Sequence, residues 1–316
     1  MLVSILVPVY GVERFIEQCA VSLFEQTYKE IEYIFVDDCS KDASIDILKD
    51  VIRRYPHRAG SVKIIRHDTN SGVGAARSTA LANATGLYVM HADSDDRLPK
   101  DAVALLAAKA EETGADMIDG GYAETADEKV VARHTPYKGN RDGYLKTVLC
   151  QNIVSNRLWG RLYRRKLITD HGIDFVKGVD YCEDYSFIAR VLFHSQRAVI
   201  DEVTYYYRTD NQMSYTHRPS IKNLTSMLHS EAIVYNYFKQ HDSERKFAFA
   251  LQTGMINAVR EMYSGGLDMG VLNKFCNYRP DGLLFRMLAK MFSRKSTFRL
   301  ANTIYLAVRR LYTANL

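Results

Sequence analysis

Short apolar runs alternate with segments of helical spacing through the first ~120 residues, and this pattern restricts the chain to few architectures. Val3 to Val9 is a continuous apolar run closed by Pro8 and Gly11, and Val12, Phe15, Ile16, Cys19, Leu23 and Phe24 then recur on one helical face. Ile31 to Val36 is a second run. After it, Ser40 or Asp42 is placed to cap a helix carrying Ile45, Leu48, Val51 and Ile52, ending before Pro56. Val62 to Ile65 is a third strand, followed by a glycine-containing loop and an alanine-rich helix through Ala84. Gly86 stops that helix, and Leu87 to Met90 is a fourth strand. Lys100 to Thr113 fits a helix with Gly114 as its C-cap, and Asp116 to Asp119 a further strand. Runs without polar alternation are strands covered on both faces, so the expected fold is α/β, with a mostly parallel, doubly wound central sheet flanked by helices.

Later segments are mixed, with a helix over Glu183 to His194 and a strand over Val203 to Arg208; from ~219 onward the pattern is helical. The chain has 316 residues, 47% hydrophobic and 25% charged, which supports a sizeable core and excludes global disorder. A net charge of +5 without a basic, aromatic-interleaved stripe does not point to nucleic acid. The five cysteines have no paired CxxC spacing, which argues for a reducing compartment and against a zinc knuckle. The apolar N-terminus lacks a preceding positive charge and a cleavage site, and no window reaches the ~18 apolar residues of a spanning helix. These features read as a cytoplasmic protein, with peripheral contact on the inner membrane face as a further option.

Ligands of open parallel sheets bind beyond the carboxyl ends of the strands. Tyr10, Asp37-Asp38 and Asp93-Ser94-Asp95-Asp96 all fall at such ends. One acidic residue there is ordinary; three clusters on one rim suggest a site. Helix capping before Pro99 accounts for one aspartate, but three within four residues repel one another unless a cation or donors compensate. Two carboxylates one residue apart suit a hard divalent cation completed by water and diphosphate oxygens. Gly72-Val73-Gly74 is not a dinucleotide fingerprint, because Arg77 stands where the third glycine is required and the segment follows the third strand.

With Val7-Pro8-Val9-Tyr10, Val36 through Asp42, Asn70 with Gly74 and Ala76-Arg77, Asp93 through Asp96, and Cys182-Glu183-Asp184-Tyr185 in this order, the chain resembles the family 2 glycosyltransferases of GT-A-type fold from about Ser4 to Ser214. The resemblance implies a catalytic domain over 1–218, with a nucleotide-sugar half to about 120 and an acceptor half beyond, and a helical extension over 219–316. It implies Pro8, Tyr10 and Glu13 as walls around base and ribose, and Asp38 as acceptor of the base imide hydrogen, favouring a UDP-sugar. Asn70 and Arg77 become nucleotide contacts, with phosphate or Asp38 as the partner of Arg77. Asp93 falls beside ribose or sugar, Asp93 and Asp95 at Mn or Mg, and His217 as a third metal ligand. Arg208 would pair with phosphate, in a closing loop with Tyr205-Tyr206-Tyr207 and Ser214. Trp159 is either core or a platform under the acceptor sugar. Glu183 and Asp184 alone would suit a helix N-terminus; the resemblance makes Asp184 the general base of an inverting transfer. Where the family commonly has Asn after the arginine, this chain has Ser78.

The implied partners are a nucleotide-sugar donor and a glycan or lipid-linked acceptor, with a homodimer as a further reading. Leu283 to Leu316 mixes leucines with seven basic residues, which suits either contact with anionic lipid or a packed helix with a solvated basic face. An idle nucleotide-sugar-binding scaffold is the alternative to an enzyme, although Asp95 and Asp184 are both present. A nucleotidyltransferase would need a glycine-rich basic loop that Val7 to Phe15 lacks.

Overall fold

The computed structural model describes residues 1–150, 156–211 and 220–314. The chain forms two compact units that interleave in sequence: Met1–Lys138 with Arg157–Gly178 and His194–His217, and Gly139–Asn156 with Val179–Phe193 and Arg218–Leu316.

The first unit holds the sheet. Its elements are β1 (Val3–Val9), α1 (Ile16–Phe24), β2 (Ile31–Asp37), α2 (Ser44–Arg54), the single turn α3 (Pro56–Ala59), β3 (Val62–Arg66), α4 (Val73–Ala82), β4 (Tyr88–His91), α5 (Ala102–Thr113), β5 (Met117–Ala126) and β6 (Lys129–His134). After α6 (Arg141–Leu149) of the second unit come β7 (Arg161–Arg164) and α7 (Arg165–Asp170); β8 (Arg197–Arg208) follows α8 (Glu183–His194). The strand order is β3-β2-β1-β4-β7-β5-β6, with β8 also paired to β5. The first four strands are parallel, β7 runs antiparallel to β4 and β5, and β8 is parallel to β5. The α/β class with a mostly parallel central sheet is therefore as expected.

β1 lies centrally in the parallel half, between β2 and β4, and is buried almost throughout, which is why its sequence shows no alternation. α1 buries Ile16, Cys19, Ala20, Leu23 and Phe24 against this core. Burying each large side chain of that kind contributes about 1.5–3 kcal/mol. Parallel register brings the carboxyl ends of β1, β2 and β4 to one edge, where Asp38 N–H donates to Val9 O and Ala92 N–H to Leu6 O.

β5 extends seven residues beyond the expected strand end at Asp119, through Gly120-Gly121, a pair that reads locally as a break. A Cβ on Gly120 would lie 2.3 Å from Thr204 Oγ1, so glycine is what lets β8 approach. Beside it Asp119 is fully buried between Arg157, Arg161 and Arg197 at 2.8–2.9 Å. Burial alone would raise its carboxyl, but the three guanidinium groups outweigh burial and hold it well below the usual carboxylate range.

The second unit is helical. It contains α6, most of α8, α9 (Ile221–His241), α10 (Ala248–Ser264), the single turn α11 (Met269–Leu272), α12 (Leu283–Phe292) and α13 (Lys295–Thr313). Phe193 packs edge-on against Phe238 and Phe247 in its core. Among the described residues no helix is long and apolar enough to cross a membrane. All five cysteines are free.

Candidate active site

The rim at the ends of β1, β2 and β4 gathers most of the expected residues of the first unit. Asp38 is buried at the end of β2, and its carboxylate accepts from His67 Nδ1 (2.7 Å), Ser71 N (2.8 Å) and Gly72 N (2.8 Å). A carboxylate has about four lone-pair positions, so these three donors leave room for one more. The next residue, Cys39, sits at φ 64°, a left-handed backbone that non-glycine residues adopt at a cost; Asp37 Oδ1 closes the turn by accepting from Ser40 N. Pro8 is half-buried in β1, opposite Val36, and Tyr10 just beyond it is 51% exposed. Asn70 is exposed on the loop after β3.

Glu13 is tied to the start of α2. Its Oε2 accepts from Ala43 N, and its own N–H donates to Asp42 Oδ2, both at 3.0 Å. Asp42 also accepts from the N–H and hydroxyl of Ser44, the first residue of α2, but the N-cap is Ala43 and has no side-chain cap bond, so neither Ser40 nor Asp42 is the expected cap.

Arg77, buried on α4, donates from Nη2 to Asp93 Oδ1 at 2.7 Å. Of the two partners expected for Arg77, Asp38 is not the one found; the guanidinium is turned toward the cluster after β4. Asp93 N–H donates to the hydroxyl of buried Tyr205, and its carbonyl accepts from Cys19 Sγ. Asp95 Oδ2 accepts from Asn211 Nδ2 at 2.7 Å. Of the cluster, Asp96 stands nearest Pro99, where capping could account for one aspartate; it accepts instead from Arg208 N on β8 at 2.7 Å, and α5 begins without a side-chain cap.

Burial and the negative charge of Asp93 raise the Asp95 carboxyl, against opposing contributions from Asn211 and Arg208. Burial and the charges of Asp95 and Asp93 push Asp96 further up. The acidic neighbours of Asp95 and Asp96 thus add to burial in disfavouring the ionised forms of these two groups, a situation a divalent cation relieves. Among the described residues no group of three or more His, Cys, Asp or Glu side chains is arranged to hold a metal ion by itself. Asp93 and Asp95 are the carboxylates on this rim that could hold a cation, with substrate oxygens and water completing its shell. His217 and Ser214, expected in the closing loop, lie outside the described residues.

Arg208 is clasped within the unit: Nε donates to Asp95 O (3.1 Å), Nη2 to Gln18 (2.7 Å), and the guanidinium lies 5.1 Å over the Phe15 ring. Trp159 is only 9% exposed, and its ring lies within 13° of parallel to Tyr205 and Tyr207 at 4.3 and 5.3 Å, as the core alternative for this residue requires.

In the second unit, Glu183 and Asp184 open α8. Asp184 Oδ1 accepts from Tyr185 N, and Ser186 Oγ donates to Glu183 O. Cys182, immediately before them, has φ 64°. The segment is pinned by α9: Ser226 Oγ accepts from Asp180 N and Tyr181 N, Ser230 Oγ donates to Cys182 O, and Tyr185 OH donates to Glu231. Sequence reasoning missed Ser226, Ser230 and Glu231, as well as His67, Gln18 and Asn211. Polar residues on the inward face of a long helix, as in Ser226, Ser230 and Glu231, are the one signal that was available.

The family model described as "Glycosyl transferase family 2" matches residues 4–172. The uncharacterized glycosyltransferase EpsJ of Bacillus subtilis is 29% identical over 273 residues, 82% of this chain and 73% of that protein. The crystal structure of residues 1–349 of Staphylococcus aureus TarS with UDP-GlcNAc superposes with a TM-score of 0.64 at 20% identity, covering 98% of this chain and 92% of that one. A Pyrobaculum calidifontis mannosyltransferase in complex with GDP-Man and Mn2+ gives 0.53 at 17% identity, covering 96% and 86%.

Proposed function

The chain belongs to glycosyl transferase family 2, and from that premise we propose that it moves a sugar from a UDP-sugar to a hydroxyl of a glycan or lipid-linked acceptor in polysaccharide assembly, with inversion at the anomeric carbon. The observation that carries this reading is the strand-end rim on which Asp38, the Arg77–Asp93 pair and the Asn211–Asp95 pair all lie. Uridine is favoured because buried Asp38 keeps one acceptor position for an imide hydrogen, with exposed Tyr10 offering a ring for stacking and Pro8 a rigid wall. The solved TarS with UDP-GlcNAc and the mannosyltransferase with GDP-Man and Mn2+ support a nucleotide sugar, and the second a metal, at this kind of fold.

Asp93 and Asp95 would hold Mn or Mg, which when bound supplies charge neutralisation for the leaving diphosphate. Arg77 fixes the orientation of Asp93, Asn211 keeps one oxygen of Asp95 in place, and Arg208 ties β8 to the Asp95 main chain. Asp184, with Glu183 beside it, takes the proton from the acceptor hydroxyl as that oxygen attacks the anomeric carbon opposite the diphosphate. An α-linked donor then gives a β-linked product.

A screen of UDP-sugars for Mn-dependent release of UDP identifies the donor, and the Asp184→Asn variant is then compared with wild type. The expected result is transfer lowered by about 10²-fold or more with UDP affinity retained. Unchanged transfer in that variant would remove Asp184 from the reaction. Tight UDP binding with no turnover of any UDP-sugar would favour the idle scaffold.

A further inference from the structure

α12 and α13 have inner faces that the protein already covers. Phe285, Leu288 and Phe292 of α12 and Ala301 and Tyr305 of α13 are buried. Phe249 of α10 meets Phe285 at 5.2 Å and Tyr312 at 4.6 Å, while Phe292 packs edge-on against Phe298 at 5.2 Å. Packing therefore explains those positions and leaves the outer faces unexplained.

On α12, Leu283 is 83% exposed and Met287 40%, one helical turn apart. On α13, Leu300 is 59% and Leu311 69% exposed, with Ile304 and Ala307 between them. The 4-3-4 spacing lines these four up as one stripe, about a third of a turn from the buried Ala301–Tyr305 line. A scattered exposed leucine needs no explanation, but a stripe with a matching pair on the adjoining helix does.

Charge identifies what covers it. Residues 283–316 contain seven Lys and Arg and no Asp or Glu, so residues 1–282, with 35 basic and 37 acidic residues, are left at −2 against the chain's +5. The chain's entire positive balance resides in these two helices. Arg286, Lys290, Arg294, Lys295, Arg299 and Arg310 are exposed and make no ion pair among the described residues. Neither helix is long and apolar enough to cross a bilayer.

We propose that α12 and α13 dock on an anionic bilayer surface, with Leu283, Met287, Leu300 and Leu311 entering the acyl boundary and the flanking cations meeting lipid headgroups. An acid-free, cation-flanked apolar stripe matches a negatively charged bilayer in both polarity and charge, whereas a second copy of the same surface would bring like charges together. The proposal does not depend on donor, metal or base.

The test is co-sedimentation of the full chain with phosphatidylcholine vesicles, and with vesicles that also contain phosphatidylglycerol. Binding is expected only to the anionic vesicles, and it weakens as salt is raised. Leu283→Gln/Leu300→Gln/Leu311→Gln and, separately, Arg286→Gln/Lys290→Gln/Arg299→Gln/Arg310→Gln should each weaken it by about tenfold or more. Circular dichroism melts close to wild type, expected for exposed positions, would show that both variants are folded. Wild type remaining in the supernatant, or full binding by either folded variant, would overturn the proposal. So would a concentration-dependent dimer abolished by the leucine changes without any vesicle binding, which would assign the stripe to a second copy.

Discussion

Replacing Glu231 by Gln should change the pH dependence of folding in a calculable way. Glu231 is buried on α9; its Oε2 accepts from Tyr185 OH at 3.2 Å, and its Oε1 has no partner among the described residues. Burial pushes its carboxyl from 4.5 up to about 8, with the Tyr185 hydrogen bond acting the other way. The folded value is thus raised, so the native chain keeps a proton that the unfolded chain has lost. The stability linked to this group is full below about pH 4.5 and is lost as pH rises through about 8. A rise from 4.5 to about 8 corresponds to about 5 kcal/mol over that window. Gln keeps volume and an acceptor for Tyr185 but does not titrate, and its buried amide costs about 1–3 kcal/mol. Urea unfolding of wild type and Glu231→Gln, followed by far-ultraviolet circular dichroism from pH 5 to 8.5 (about the span of the linkage), reads the difference directly. The variant should be the less stable protein near pH 5 and the more stable one near pH 8. A difference that stays constant with pH would refute the buried, proton-holding carboxyl.

Two further outcomes concern the first unit. Asp119→Asn leaves Arg157, Arg161 and Arg197 buried without their shared counter-charge; it should cost about 3–5 kcal/mol and lower the melting temperature by roughly 10 °C, measured by calorimetry. Asn211→Ala removes the hydrogen bond that lowers the Asp95 carboxyl; the acid limb of Mn-dependent activity should move to higher pH and half-saturation by Mn rise by about tenfold, with the pH–rate profile and Mn titration as readouts.

The parallel half of the fold was legible because its rules are local. Val3 to Val9 could only be a doubly covered strand, and the helix over Glu183 to His194 appears with the expected bounds. What escaped local reading depends on distant partners. β8 begins six residues before the expected Val203, because its early part is held by parallel pairing with β5 despite Asp201 and Glu202 on its exposed stretch. Asp96 looks like a helix cap from its neighbours and is instead bound by Arg208, 112 residues away. Asp37-Asp38 and Asp93 through Asp96 stand out in the sequence because clustered acids are anomalous. His67 and Asn211, which bind Asp38 and Asp95, Gln18, which binds Arg208, and the Ser226–Glu231 face of α9, which binds the segment around Cys182, are ordinary polar residues in sequence and gain meaning only from contacts made across the fold.

Calorimetric titration of UDP into wild type and Asp95→Asn, with and without Mn, tests the donor site most directly. The rim of Asp38, Arg77, Asp93 and Asp95 predicts that wild type binds UDP, that Mn tightens binding by about tenfold or more, and that Asp95→Asn loses most of the Mn effect while keeping its thermal stability. Failure of wild type to bind UDP, or an Mn effect undiminished in Asp95→Asn, would contradict this assignment of the rim.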